Sequence, residues 1–254
     1  MISNSELTII SGPCAIESYD QVMEVAKTVA GLGLSYFRGG AFKPRTSPYS
    51  FQGLEEEGLK YLSEAAKTYG LKAVTEVMDT EHVELVLNYA DIIQVGTRNM
   101  ANFSLLKKIG ALTKDRETPV LLKRGMSATI EEWLLASEYI TAAGNPNVIL
   151  CERGIRTFET ATRYTLDLAA VPVVKKYSAH PIIVDISHAM GHSDYIIPMS
   201  RSAVAAGADG LMIEVHPNPK KALCDGAQSL TPEQLKQLVD EVRPICDALG
   251  KKIV

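Results

Sequence analysis

The chain has 254 residues, 46% of them hydrophobic and 22% charged, and a formal net charge of −4. That length and apolar content suit one sizeable core, and no block of like charge resembles a nucleic-acid tail, so nucleic acid is not expected as a partner. No stretch approaches the roughly 18 apolar residues of a membrane span, and the opening MISNSELTIISGP lacks the order of a secretory signal. A cytoplasmic protein with no membrane association is expected. Its four cysteines, Cys14, Cys151, Cys224 and Cys246, should then be thiols or ligands rather than disulfides.

Short apolar runs recur along the chain, each followed by residues at helical spacing. LTIISGPC ends at Cys14 and precedes a predicted helix over 19–30. YFRGGAFKPR ends in Lys43 and Arg45, ahead of a helix over 54–69. LKAVTE ends at Glu76 (helix 80–89), and ADIIQVGTR at Arg98 (helix 103–109). PVLLKRG carries Lys123 and Arg124 (helix 129–142), and VILCERG carries Arg153 (helix 160–171). PIIVDISH ends at His188 (helix 195–206), and GLMIEVH holds Glu214 (helix 232–249).

Eight such units at roughly 30 residues each predict a single-domain α/β fold, a (β/α)8 TIM barrel over 1–254. The continuous apolar runs fit parallel strands buried on both faces. A doubly wound open sheet is the alternative, and the even spacing favours closure. Ser127 ahead of Glu131 and Glu132, and Thr231-Pro232-Glu233, read as helix starts. Gly31, Gly70 and Gly144 sit where helices should stop. The longest aperiodic stretches, 43–53 and 216–230, follow strands, where a barrel places its active site.

The run ends carry the chemistry. Lys43-Pro44-Arg45-Thr46-Ser47 combines two cations with two hydroxyls, a mixture suited to phosphate or carboxylate. Taken singly, Cys14, His188, Glu214 and Asp225 are weak signals. Together they offer one thiolate, one imidazole and two carboxylates, a set able to hold Mn²⁺, Fe²⁺, Co²⁺ or Zn²⁺ with a position left for substrate. Arg98, Lys123, Arg124 and Arg153 are costly to bury unpaired. Salt bridges to Glu152, Glu76 or Asp185 are the bland account of them. Lys123 and Arg124 are adjacent in a strand, so only one can face the site. Trp133 and Met126 read as helix packing, Glu55-Glu56-Glu57 as a solvated helix start, and Gly39-Gly40 as no dinucleotide motif.

These segments in combination, GPCAIES, FRGGAFKPRTSPYSFQG, QVGTRNM, LLKRGM, ERG, DISHAMGHSDY and EVHPNPKKALCDGAQS, resemble the 3-deoxy-D-arabino-heptulosonate 7-phosphate (DAHP) synthases, the short microbial branch of the type I enzymes. The resemblance runs from about Leu7 to Leu249. It implies a barrel that joins phosphoenolpyruvate to D-erythrose 4-phosphate and water with release of phosphate, the entry to the shikimate pathway and aromatic amino acids. The metal ligands it implies are Cys14, His188, Glu214 and Asp225, with Mn²⁺ first among the ions. Arg45, Arg98, Lys123 and Arg153 would bind phosphoenolpyruvate, and Lys43 to Ser47, with Arg45 and Thr46 between, the tetrose phosphate. The catalytic set is Lys123, Glu76, Cys14 and His188, with Lys123 as proton donor and Glu76 positioning water. The family also implies a homodimer or homotetramer.

Some members carry an added regulatory domain, and none is expected here. The sister enzymes that make 3-deoxy-D-manno-octulosonate 8-phosphate from arabinose 5-phosphate characteristically have K-A-N-R-S in the loop. Lys43-Pro44-Arg45-Thr46-Ser47 argues for the four-carbon sugar. A non-catalytic barrel should have lost one of Cys14, Lys123, His188 or Glu214, and a Schiff-base aldolase has no use for the metal set. Cys224 precedes Asp225 and is expected to approach Cys14, so that loss of metal lets the two thiols form a disulfide.

Overall fold

The computed structural model describes residues 2, 5–43, 47, 49–116 and 118–254. In chain order the elements are β1 (Glu6–Gly12), α1 (Tyr19–Gly31), β2 (Tyr36–Arg38), α2 (Glu55–Tyr69), β3 (Lys72–Val77) and α3 (Val83–Leu87). Then come β4 (Ile92–Val95), α4 (Phe103–Thr113), β5 (Val120–Lys123), α5 (Ile130–Ala142), β6 (Val148–Glu152) and α6 (Ala170–Tyr177). The last are β7 (Ile182–Asp185), α7 (Ile186–Met190), α8 (Ile196–Ala205), β8 (Gly210–Glu214), α9 (Pro232–Ala248) and β9 (Lys252–Ile253).

The strands pair in parallel from β2 round to β8, β8 pairs with β1, and β1 pairs with β2, which closes the barrel. The short β9 adds to the start of β1. Alternation along each strand divides the core in two. Ile10, Val74, Ile92, Leu121, Ile149, Ile183 and Met212 form one cluster. Their neighbours, among them Ile9, Phe37, Val77, Leu122, Leu150 and Val184, join the larger cluster with the helices. The first set fills the barrel interior and the second seals the strands to the helical ring.

Local chemistry sets the helix ends. Thr129 rather than Ser127 caps α5, in a reciprocal capping box with Glu132, and Thr231 does the same with Gln234 for α9. Gly70 ends α2 in the left-handed region, at φ 67°. The one misplaced helix is that expected over 160–171. Helix α6 begins only at Ala170, and 155–165 forms an excursion pinned by backbone bonds. Ile155 and Thr165 exchange N–H···O bonds of 2.9 and 3.0 Å, while Arg163 and Tyr164 donate to Met190 and Ala189 carbonyls. With its N–H groups spent on tertiary partners, a segment rich in Thr and aromatic residues gains nothing by coiling. No helix among the described residues is long and apolar enough to cross a membrane.

Candidate active site and metal centre

The barrel's inward register carries the interior apolar layer directly into polar chemistry. Two residues beyond Val74, Leu121, Ile183 and Met212 on the same face come Glu76, Lys123, Asp185 and Glu214. Arg38 stands likewise beyond Tyr36, and Arg153 beyond Cys151. Backbone register puts Gly12 beside Glu214 and Lys123 beside Cys151, so these side chains meet at one end of the barrel.

Four donor atoms converge there. One ligand atom each from Cys14, His188, Glu214 and Asp225 lies within 4.8 Å of all the others. Cys14 Sγ is 3.2 Å from Asp225 Oδ2, and His188 Nε2 is 3.2 Å from Glu214 Oε1 and 3.9 Å from Asp225 Oδ2. Sulfur, imidazole and two carboxylates at this spacing fit a divalent transition metal. The loop after β8 delivers the fourth donor. Asp225 adopts the left-handed conformation at φ 53°, and a Cβ on the following Gly226 would meet the Pro219 carbonyl oxygen at 2.2 Å.

Electrostatics prepare the donors. Burial pushes the His188 pKa down, favouring the neutral imidazole that a metal needs. Burial pulls Glu214 upward, but His188 and Arg38 outweigh it and its pKa falls below the usual value. Asp225 is lowered to about 2, because His188 and Arg163 overcome its own desolvation. Cys14 is the exception. The neighbouring Cys224 sulfur, burial and the Glu214 charge all raise it, against the pull of Lys43. The Cys14 and Cys224 sulfurs are 3.3 Å apart, and all four cysteines are free thiols.

Asp185 organises the next ring of contacts. Its carboxylate caps α7, accepting from the His188 backbone N–H at 3.0 Å. Its other oxygen contacts Lys123 Nζ and lies 2.8 Å from His188 Nδ1, a close approach without hydrogen-bond alignment. The Asp185 carboxylate thus sits against the imidazole's Nδ1 edge, while Nε2 faces Glu214 and Asp225. Burial raises the Asp185 pKa, yet His188 and Lys123 hold it well below the carboxylate range.

A cavity of about 300 Å³ adjoins the donors. Lys43, Arg98, Lys123, Arg153 and Arg163 line it against two carboxylates, Glu76 and Asp225, so an anionic occupant is favoured. Among the described residues the Arg153 guanidinium forms no salt bridge, and it donates to the Gly154 carbonyl at 3.4 Å. It stacks on Tyr164, 3.9 Å from the ring centroid, and burial lowers its pKa. Glu76 accepts from Gln94 Nε2 at 3.0 Å, and Ser47 also lines the cavity. Arg45 and Thr46, expected to bind substrate, lie outside the described residues.

Other expectations resolve individually. Lys43 faces the cavity, but its ammonium donates to the Cys14 carbonyl and sulfur, each at 3.0 Å. Arg124 points outward to Glu152 and Asp167, both at 2.8 Å, so Lys123 alone of the adjacent pair enters the site. Trp133 is buried packing, as read, whereas Met126 lines the cavity and accepts from the Tyr164 hydroxyl at 3.0 Å. His216 turns aside to Glu17, at 3.3 Å.

Sequence reasoning passed over Arg38, which donates to Glu214 Oε1 and the Pro13 carbonyl, both at 2.8 Å. The inward alternation from Tyr36 was the signal that could have found it. Arg163 and Tyr164 were hidden by the misplaced helix.

Comparison with known proteins bears on this site as a whole. The sequence model of the DAHP synthetase I family matches residues 3–247. A phospho-2-dehydro-3-deoxyheptonate aldolase of Thermotoga maritima is 56% identical over 252 residues, covering 99% of this chain and 73% of that protein. A 2-dehydro-3-deoxyphosphooctonate aldolase of Desulfotalea psychrophila is 30% identical over 258 residues, covering 94% of this chain and 90% of that protein. The crystal structure of the Thermotoga maritima DAHP synthase superposes with a TM-score of 0.96 at 55% identity, over 100% of this chain and 73% of the other. A truncated form of that synthase gives 0.92 at 52% identity, over 100% and 91%.

Proposed function

The chain belongs to the DAHP synthetase I family, and from that membership we propose how its barrel works as an enzyme. It condenses phosphoenolpyruvate with D-erythrose 4-phosphate and water, giving 3-deoxy-D-arabino-heptulosonate 7-phosphate and phosphate. The observation that carries the reading is the four-donor cluster opening onto a cation-lined cavity. The octulosonate alternative rests on relatives near 30% identity, against 56% for the heptonate aldolase.

Cys14, His188, Glu214 and Asp225 would hold a divalent cation, Mn²⁺ first and Fe²⁺, Co²⁺ or Zn²⁺ as alternatives. Bound there, it supplies Lewis acidity toward a carbonyl oxygen. Arg98, Lys123 and Arg153 bind the phosphate and carboxylate of phosphoenolpyruvate. Arg153 suits this role, because its stacking on Tyr164 orients the guanidinium and leaves its charge open to substrate. The KPRTS loop, Lys43 to Ser47, would hold the tetrose phosphate and border phosphoenolpyruvate. Carbon 3 of phosphoenolpyruvate attacks the aldehyde carbon, water adds at carbon 2, and the tetrahedral intermediate expels phosphate by C–O cleavage. Lys123 donates a proton, with Asp185 fixing its ammonium, and Glu76 positions the water.

The test is phosphate release from phosphoenolpyruvate by chelator-stripped protein, with erythrose 4-phosphate or arabinose 5-phosphate, with and without Mn²⁺. Metal-dependent release with the tetrose alone is expected. Release only with the pentose would transfer the assignment to octulosonate synthesis. Silence with both sugars in folded, metal-loaded protein would leave a binding subunit.

A further inference from the structure

Each carboxylate in the donor cluster has two oxygens, and a separate contact occupies the one turned away from the cluster. Asp225 Oδ2 faces Cys14, whereas Oδ1 lies 3.4 Å from Arg163 Nη1. Glu214 Oε1 faces His188 and also accepts from Arg38 Nη1 at 2.8 Å, whereas Oε2 accepts from Gln228 Nε2 at 2.6 Å. The two outer contacts are themselves joined, because Arg163 Nη1 donates to Gln228 Oε1 at 2.8 Å. Gln228 is 2% exposed, so both ends of its amide are spent inside the protein.

We propose that Arg163 and Gln228 are positioning residues that hold the outer oxygens of Asp225 and Glu214, so that each carboxylate offers one oxygen to a divalent cation. The inference rests on the metal reading above and deepens it. A buried primary amide suits this task because it donates to one neighbour and accepts from the other in a fixed sense. Reversed, the amide oxygen would face the Glu214 carboxylate and the amide N–H₂ the guanidinium, two repulsive contacts in a buried site. The orientation is therefore enforced from both ends. Arg163 also lines the substrate cavity, so one strut joins the cavity wall to two of the four donors. Freed of Gln228, Glu214 could chelate with both oxygens, which raises the coordination number and takes up space needed by substrate.

The test compares the chelator-stripped full chain with Gln228→Leu and Gln228→Glu. Mn²⁺ affinity is read from the free-ion EPR signal without substrate, and Co²⁺ coordination from visible absorption. Leucine keeps the bulk without the amide. Glutamate keeps the shape but sets an anion against Glu214. Both variants should bind Mn²⁺ about 10–100-fold more weakly. The Leu variant's Co²⁺ bands should lose intensity as coordination number rises, a change that mere packing loss would not produce. Circular dichroism checks the fold, and if the Leu variant does not fold, the near-isosteric Glu variant decides. Folded variants that match the parent in Mn²⁺ affinity within twofold, with an unchanged Co²⁺ spectrum, overturn the inference alone. A parent that binds neither ion defeats the metal reading, and the inference with it.

Discussion

Lys123 enters the cavity two residues beyond Leu121 on the inward face of β5, and Asp185 holds its ammonium. Substituting Lys123→Met keeps most of the stem and deletes the proposed proton donor. Turnover should fall below detection while Mn²⁺ affinity stays within a few-fold of the parent, and an active variant would remove the lysine from the mechanism. Arg38→Met tests a different quantity. It strands Glu214, which is fully buried, without its 2.8 Å guanidinium contact. Breaking a buried pair costs about 3–5 kcal/mol, so urea unfolding of the metal-free protein should shift by that order. Cys14 and Cys224, 3.3 Å apart, lose two electrons and two protons to dioxygen if they join as a disulfide. Metal-stripped protein should therefore inactivate in air and recover with dithiothreitol, and Cys224→Ser should not. Equal inactivation rates would refute the pairing. Cys14, His188, Glu214 and Asp225 were legible only as a set, because together they offer sulfur, imidazole and carboxylate donors, and the structure brings one donor atom of each within 4.8 Å of the others. Arg38 and Gln228 were not, because their roles lie in which oxygen they touch, and spacing along a chain carries no such information.

At the level of elements, the strands were readable because burial on both faces leaves continuous apolar runs, and every one of the eight closes the barrel. The 155–165 excursion escaped because its structure comes from contacts with Ala189 and Met190, far along the chain. The junction of β3 and β4 shows how tightly strand ends fix a side chain. Gly96, just past β4, sits at φ −70° and ψ 160°, a conformation open to any residue. A Cβ there would nonetheless fall 2.0 Å from Glu76 Oε1 and 2.7 Å from its Cδ. What glycine supplies here is room for the Glu76 carboxylate rather than backbone freedom. Gly96→Ala should push the Glu76 carboxylate off its Gln94 contact, with only a small change in melting temperature. A displacement on the order of 1 Å can cost roughly 100-fold in rate, so kcat/KM should drop toward that factor. Full activity in the alanine variant would show that Glu76 does not position water.

For the whole molecule, the donor cluster ties together segments from both ends of the sequence. Cys14 follows β1, His188 lies in α7, Glu214 ends β8, and Asp225 belongs to the loop before α9. Without an ion these donors oppose one another, because Glu214 and Asp225 both raise the Cys14 pKa. A divalent cation held there would reverse the balance, since it would bind the folded arrangement and find no comparable site in the open chain. Binding then adds to stability by mass action, about 2.7 kcal/mol when free ion reaches 100 times its dissociation constant. For a chain of this size each kcal/mol moves the melting temperature by roughly 2–4 °C, so saturating Mn²⁺ should raise it by roughly 5–10 °C. His188→Ala should lose most of that increment, because it removes one of four donors and spoils the convergence of the rest. Isolated surface carboxylates bind Mn²⁺ too weakly to mimic the effect at the same concentration. An unchanged melting temperature in the parent would mean that the four donors do not hold the ion, however closely they are arranged.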